Sequence, residues 1–274
     1  QDSDNDLYVT AYFNKAQALY RLGHYAEAIL YYDNCIERKS NYIAAHARKI
    51  YTLINLGYKK KAIETQDHAL SHKLDLKLDV ELEGYLQKIK VINTVSSDQI
   101  SSDQTAKKIF ECTCNECNKR TSKLLPDQEI KNLLESSIMH FFVTKSLFET
   151  NNPLCFFSAG YLLQLSLELF LKNCIQYYDV KFRKIHCLKG LINDLSKSRT
   201  LKLKDSTLKY IEEINKFYNQ RYESQPIGSN EHQKWHNVVL DILFSISDID
   251  DMLYKDFLNL YLKNLHIYKC FSVY

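Results

Sequence analysis

The sequence has little glycine and proline, with six and three of these residues among its 274. Both residues are frequent in β-turns, so their scarcity argues against many short strands and favours long helices. Hydrophobic residues make up 45% and charged residues 25% of the chain, the usual balance of a globular protein. The composition therefore predicts helical structure around an apolar core of ordinary size.

Long hydrophobic runs and strong charge are also missing. No uninterrupted apolar run in the sequence approaches the roughly 18 residues that cross a bilayer, so we predict no membrane partner. The formal net charge of +3 is too small to indicate nucleic-acid binding by itself. The sequence also lacks the usual phosphate-binding, dinucleotide-binding, nucleophile-elbow and zinc-protease motifs. No common enzyme class is therefore indicated by a motif.

The eight cysteines are scattered along the chain and do not resemble a disulfide framework. This pattern favours reduced thiols and a cytoplasmic location. The exception is a cluster of Cys112, Cys114 and Cys117. Zinc usually takes four ligands, and no second pair of Cys or His follows at an ordinary spacing. We expect no cofactor, and the alternative is a zinc ion on these three thiols with a distant fourth ligand.

Residues 7–72 contain an internal repeat. Gly23 and Gly57 are 34 residues apart, each follows a leucine, and each precedes an Ala-Ile pair that begins at Ala28 or Ala62. Glycine suits a turn between antiparallel helices, where φ is positive, and a small alanine lets two helices approach closely. This period and composition resemble the tetratricopeptide repeat (TPR). We predict two repeats and a capping helix over 76–95, with repeat helices near 7–22, 25–39, 42–56 and 59–72.

The TPR resemblance implies a protein or peptide partner bound on a concave surface. We take Tyr12, Asn14 and Arg48, on the first helices of the two repeats, as candidate protein-binding residues. The carboxylate-clamp subtype of this family needs Lys and Asn where this chain has Phe13 and Gln17. We therefore do not predict capture of a chain terminus.

The remaining sequence divides into a polar linker over 96–125 and a second helical region over 126–274. Helical apolar patterns predict helices over 127–149, 153–179, 186–197, 205–220 and 231–262. A break in the last of these, near Asp250 and Asp251, is left open. With residues 1–95, the predicted fold is all-α, a short TPR-type superhelix followed by an up-and-down bundle.

The predicted helix over 153–179 is almost entirely apolar, yet Glu168 stands four residues before Lys172. This spacing favours pairing on one helix face, and a buried carboxylate requires a partner. The small residues, aromatic-Leu-Leu run and Ser-x-Glu-Leu-x-Leu-Lys text of this helix resemble the second helix of HEPN domains. His186, in a His-x-Leu-x-x-Leu segment, and the Arg221-Tyr222 pair resemble later elements of that family, over about residues 126–265.

Many HEPN domains are metal-independent ribonucleases and homodimers, and their motif is Arg, four to six residues, then His. Here Arg221 precedes His232 by ten intervening residues and His236 by fourteen, so the chain departs from the motif. The resemblance still makes these three residues the candidates for catalysis. The candidate ligand-binding residues that it implies are Arg221, Tyr222, His186, Glu168 and Lys172.

The leading hypothesis is a non-enzymatic scaffold or adaptor, in which the repeats bind a protein and the HEPN-like bundle dimerises or binds a second ligand. It rests partly on family analogy. One alternative is a HEPN-type ribonuclease of a bacterial defence or toxin system. The other is a nucleotide- or RNA-binding module.

Overall fold

The structure is a computed structural model. It describes residues 2–76, 83–84, 86–87, 90, 110, 122–123, 127–150, 152, 155–178, 182–183, 185–218, 231–247 and 251–271. The chain divides into two compact units. Unit 1 comprises residues 1–104 with 248–250, and unit 2 comprises residues 105–247 with 251–274. The partition predicted from the sequence, at 95 and 125, remains a prediction.

Within residues 2–76, unit 1 contains four helices that pack in chain order, each against the next. They are α1 (Asp2–Arg21), α2 (Tyr25–Arg38), α3 (Ile43–Asn55) and α4 (Lys59–Ser71). The prediction of an all-α fold with TPR-like repeats is confirmed. The main difference is that α1 begins five residues earlier than predicted, because its polar first turn carries no apolar periodicity to detect.

The two glycine turns have the same geometry. Gly23 and Gly57 have φ of 78° and 80°, a conformation that costs other residues more. The amide of His24 donates to the carbonyl of Leu19 at 2.9 Å, and the equivalent bond 34 residues later measures 2.8 Å. This bond closes a helix at a glycine in the left-handed conformation. The repeat seen in the sequence is therefore a repeat of backbone structure.

Close packing and one buried ion pair join the repeat helices. Ala28 and Ala62 are fully buried, as expected for small residues where helices meet. Lys49 of α3 lies 2.5 Å from Asp33 of α2, and both side chains are almost fully buried. The sequence did not predict this pair, which links the two repeats across the α2–α3 packing.

The predicted capping helix is partly described. Residues 83, 84, 86, 87 and 90 are helical, Leu86 is fully buried, and the Lys90 ammonium lies 2.5 Å from a carboxylate oxygen of Asp67 on α4. These residues therefore lie against the second repeat, where a capping helix was expected.

Unit 2 is a bundle centred on one helix. Its elements are β1 (Ser122–Lys123), α5 (Asp127–Glu149), α6 (Cys155–Tyr177), β2 (Phe182–Arg183), α7 (Leu188–Leu195), α8 (Asp205–Asn215), a 3₁₀ turn (Lys216–Tyr218), α9 (Glu231–Ile246) and α10 (Met252–Phe271). Helix α6 contacts α5, α7, α8 and α9, and α10 packs on α5. The apolar helix singled out in the sequence is thus the centre of the bundle.

The last predicted helix is two helices, and Asp251 starts the second. Its carboxylate accepts a hydrogen bond from the Leu253 amide at 2.8 Å, as an N-cap residue does. The break that the sequence left open therefore lies between Ile246 and Met252, and α10 extends well beyond the predicted end at 262.

Two features of unit 2 fall in or beside the predicted linker and were not predicted. The two-residue strands β1 and β2 pair in antiparallel register, and strands this short show no alternation that a sequence could reveal. Phe110 is buried, and its backbone exchanges two hydrogen bonds with the Asn193 side chain of α7, at 2.9 and 2.7 Å. At Phe110 the predicted linker is therefore packed against the bundle.

We expect Ala62→Phe to lower the free energy of unfolding by about 1–3 kcal/mol, because a large side chain would overpack a fully buried contact. Urea unfolding followed by far-ultraviolet circular dichroism measures the loss. Ala44→Phe is the matched control, since Ala44 is exposed on α3 and should tolerate the ring. Equal stability of the two variants would contradict the close contact at Ala62.

Candidate functional site

The first helices of the two repeats share a half-buried stripe. On α1, Phe13, Gln17 and Tyr20 are half-buried and lie on one helix face. The residues 34 positions later on α3 are half-buried as well, and these are Ala47, Tyr51 and Ile54. The amide of Asn55 donates to the Tyr20 hydroxyl at 2.6 Å, which joins the two helices here. We call these six residues the inter-repeat face.

An aromatic cluster lies behind the inter-repeat face. The Phe13 ring is 5.8 Å from that of Tyr32 and 5.2 Å, edge-on, from that of Tyr42. Tyr32 is fully buried, and its hydroxyl has no hydrogen-bond partner in the part of the chain that the structure describes. The pKa of Tyr32 is raised to about 12, and burial is the largest cause of this shift. The support beneath the face is therefore aromatic and uncharged.

The structure separates the three predicted protein-binding residues. Asn14 and Arg48 are exposed, occupy equivalent positions of the two repeats and adjoin the inter-repeat face. Tyr12 instead packs against α2, with its ring 6.0 Å from that of Tyr31 and the Arg38 guanidinium 5.5 Å above it. This position favours a role for Tyr12 in packing α1 on α2.

Sequence reasoning missed the aromatic residues of the inter-repeat face. Tyr20 and Tyr51 are half-buried and were not among the predicted binding residues. The signal that could have found them is the 34-residue period applied to a helical stripe at i, i+4 and i+7. The stripe differs in residue type between the repeats, which hides it from a comparison of identities.

In unit 2, three predicted ligand-binding residues come together in a Glu168 cluster. The Glu168 side chain is 2% exposed, and one carboxylate oxygen lies 2.6 Å from the Lys172 ammonium and 2.9 Å from Nδ1 of His186. The Gln164 amide lies 3.4 Å from the other oxygen and donates to the His186 carbonyl at 2.9 Å. The pairing of Glu168 with Lys172, expected from their spacing, is present.

The Glu168 cluster contains a histidine whose ring is held in one orientation by a carboxylate. A buried carboxylate at Nδ1 sets the ring direction of His186, as it does for many catalytic and metal-binding histidines. The His186 side chain is 39% exposed, so a solute can approach it. Across the described residues, no three His, Cys, Asp or Glu side chains are grouped to hold a metal ion. The arrangement suits a polar ligand or a structural ion pair.

The other candidates do not join this cluster. His236 is buried, with its Nε2 2.7 Å from the Tyr261 hydroxyl, and this core position disfavours the catalytic role that the resemblance implied. His232 is half-buried, and its ring stacks 5.1 Å from that of Phe148. The remaining predicted site residues lie outside the described residues, and these are Arg221, Tyr222, Cys112, Cys114 and Cys117.

A buried polar network holds α6 and thereby positions Glu168. Ser137 of α5 and Ser166 of α6 each donate a hydroxyl to the other's carbonyl, at 2.7 and 2.8 Å. The Trp235 indole of α9 donates to the Ser166 hydroxyl at 2.9 Å. Three helices therefore meet at one serine, two residues before Glu168.

Comparison with known proteins identifies the repeat. Residues 9–42 match the family model of the tetratricopeptide repeat, so the chain contains a repeat of the class that generally mediates protein–protein interaction. No curated protein and no solved structure matches the chain, and the HEPN resemblance stays a prediction. Among the described residues, no helix combines the length and apolarity that a membrane crossing requires.

We expect Glu168→Gln to lower the free energy of unfolding of unit 2 by about 3 kcal/mol, because the variant breaks a largely buried ion pair by removing the charge of one partner. Trp235, the single tryptophan of the chain, reports urea unfolding of this unit by its fluorescence. Glu212→Gln is the control, since it removes an exposed ion pair with Lys189 and should change little. Unchanged unfolding of Glu168→Gln would show that the pair is not structural.

Proposed function

We propose that the chain is a non-enzymatic protein-interaction scaffold whose inter-repeat face binds a peptide segment of a partner protein. The observation that carries the proposal is the inter-repeat face itself, a half-buried stripe on α1 that recurs 34 residues later on α3. The first helices line the concave surface of such repeats, where partners bind. The repeat match at residues 9–42 supports this assignment.

The side chains of the face suggest what kind of peptide binds. Phe13, Tyr20, Tyr51 and Ile54 are partly exposed, and partly exposed aromatic residues supply much of the binding energy at interfaces. The exposed Arg48 beside them favours a carboxylate on the ligand. The expected ligand is therefore an apolar peptide segment that carries at least one acidic residue.

The proposal extends to unit 2, which would dimerise or bind a second ligand, as the HEPN resemblance implies. On α5, Met139 and Val143 are one turn apart and are 52% and 48% exposed. Adjacent exposed apolar side chains suit a protein contact, and a second copy of the bundle is the partner we propose for them. The Glu168 cluster would supply polar contacts to a separate ligand.

A cytoplasmic setting belongs to the same proposal. The described cysteines are free thiols, and they are Cys35, Cys155, Cys174 and Cys187. Burial raises the pKa of the Cys35 thiol to about 12, which keeps it protonated and unreactive. The absence of a disulfide among the described cysteines fits a compartment that keeps cysteine reduced.

Selection from a displayed random peptide library on the full chain tests the peptide-binding face. We expect enrichment of apolar sequences with an acidic residue, and Tyr51→Ala should weaken the selected peptides by about tenfold or more, the loss typical of an aromatic hot spot. Tyr8→Ala is the matched control, because Tyr8 is exposed on α1 and lies off the face. Equal affinities of both variants and the unaltered chain would refute the assignment.

The ribonuclease alternative has its own test. The purified chain incubated with mixed RNA in EDTA should produce no more cleavage than its His232→Ala variant, because the arginine–histidine spacing departs from the family motif and His236 is buried. Cleavage that persists through repurification and disappears in both Arg221→Ala and His232→Ala would overturn the non-enzymatic assignment.

A further inference from the structure

Unit 2 contains a cavity that neither the inter-repeat face nor the Glu168 cluster uses. It lies between α5, α6 and α10 and has a volume of about 570 Å³, within the range of sites for small organic molecules. Leu134 and Leu253 line it and are 2% and 1% exposed. Part of its wall is therefore an apolar surface fixed by the core.

Asn173 of α6 contributes a buried acceptor to this wall. It is 3% exposed, and its side-chain nitrogen donates to the Ile130 carbonyl at 2.9 Å. That bond sets the amide orientation, because a flipped amide would place two oxygens together. The amide oxygen is buried without a hydrogen-bond partner in the described part of the chain. An unpaired buried oxygen is destabilising, so a ligand donor that reached this oxygen would stabilise the complex.

The lining is acidic. Two carboxylates, Glu135 and Asp256, stand against the single ammonium of Lys131, which is exposed. Glu135 pairs with Lys263 at 3.2 Å. Asp256 is half-buried and forms no ion pair within the described residues. The charged lining residues therefore sum to −1, and Asp256 is the lining carboxylate without a described ion pair.

Tyr177 on the cavity wall lies close to two carboxylates. Its hydroxyl donates to the Asp251 carboxylate at 3.2 Å. Burial raises the pKa of Tyr177, and the charges of Asp251 and Asp256 raise it further. The cavity lining thus combines the Tyr177 hydroxyl and the Asp256 carboxylate with apolar side chains.

We propose that this cavity binds a small organic cation, a primary ammonium carried on an apolar body. An ammonium presents three donors, which suit the Asp256 carboxylate and the Asn173 amide oxygen. The apolar body would pack against Leu134 and Leu253. An anion would be repelled by the Asp256 carboxylate, and a neutral molecule would leave that carboxylate without a counter-charge.

Three indoles that share a ring and differ in charge test the proposal on the full chain. They are tryptamine, tryptophol and indole-3-acetate, and calorimetry at low salt measures each dissociation constant. Tryptamine should bind about tenfold more tightly than tryptophol, the gain expected from one charge-assisted hydrogen bond, and indole-3-acetate should bind most weakly. Equal affinities, or no tryptamine binding at millimolar concentration, would overturn the proposal.

Three variants test whether tryptamine binds in the cavity. Asp256→Asn keeps the shape and removes the charge, so it should weaken tryptamine about tenfold and leave tryptophol unchanged. Asn259→Phe, at an exposed lining position, should fill the cavity and abolish tryptamine binding. Glu129→Gln removes an exposed carboxylate of α5 that is not in the lining and should have no effect. Trp235 fluorescence confirms that each variant is folded.

The same ammonium could come from a lysine side chain of a protein. The peptide acetyl-Leu-Lys-Leu-amide presents that group on an apolar body, and we expect it to bind more weakly than tryptamine because ordering its flexible backbone on binding costs free energy. Tighter binding of the peptide would overturn the assignment of a small-molecule ligand. Unaltered tryptamine binding by both Asp256→Asn and Asn259→Phe would place the binding elsewhere and overturn the cavity assignment.

Discussion

A helix at the centre of a bundle has no water beside it, so each polar group that it carries needs a partner from a neighbouring helix. Helix α6 meets this constraint at Ser166, which binds α5 and α9, and at Glu168, which binds Lys172 and His186. These bonds set how the neighbouring helices lie around α6. The constraint is incompletely met at Gln164 and Asn173, whose amide oxygens lack partners within the described residues, and Asn173 lies at the cavity.

Unit 1 is organised by backbone geometry instead. Two glycines with positive φ close equivalent helices, and buried alanines let the following helices pack closely. Because equivalent residues then occupy equivalent positions, a half-exposed stripe on α1 recurs on α3. The repeat therefore forms one continuous face from two helices. A scaffold binds its partner through such a face and does not require a catalytic group.

The sequence predicted the features that depend on local pattern. The 34-residue period predicted the glycine turns at Gly23 and Gly57, and the spacing of Glu168 and Lys172 predicted their ion pair. Patterns of apolar residues predicted the helices of both units to within a few residues at most ends. Each of these features lies within one helix or one turn, so residues that are close in the sequence are enough to specify it.

What the sequence by itself determined is the all-α class, the repeat and the buried acid on the central helix. Only the tertiary structure decided which distant groups meet, because such meetings depend on packing between helices. It placed His186 on Glu168, buried His236 against Tyr261 and left the polar wall of the cavity open between α5, α6 and α10. Periodicity in the sequence identifies the helix face on which a residue lies. Which residue of another helix contacts that face depends on how the whole unit packs.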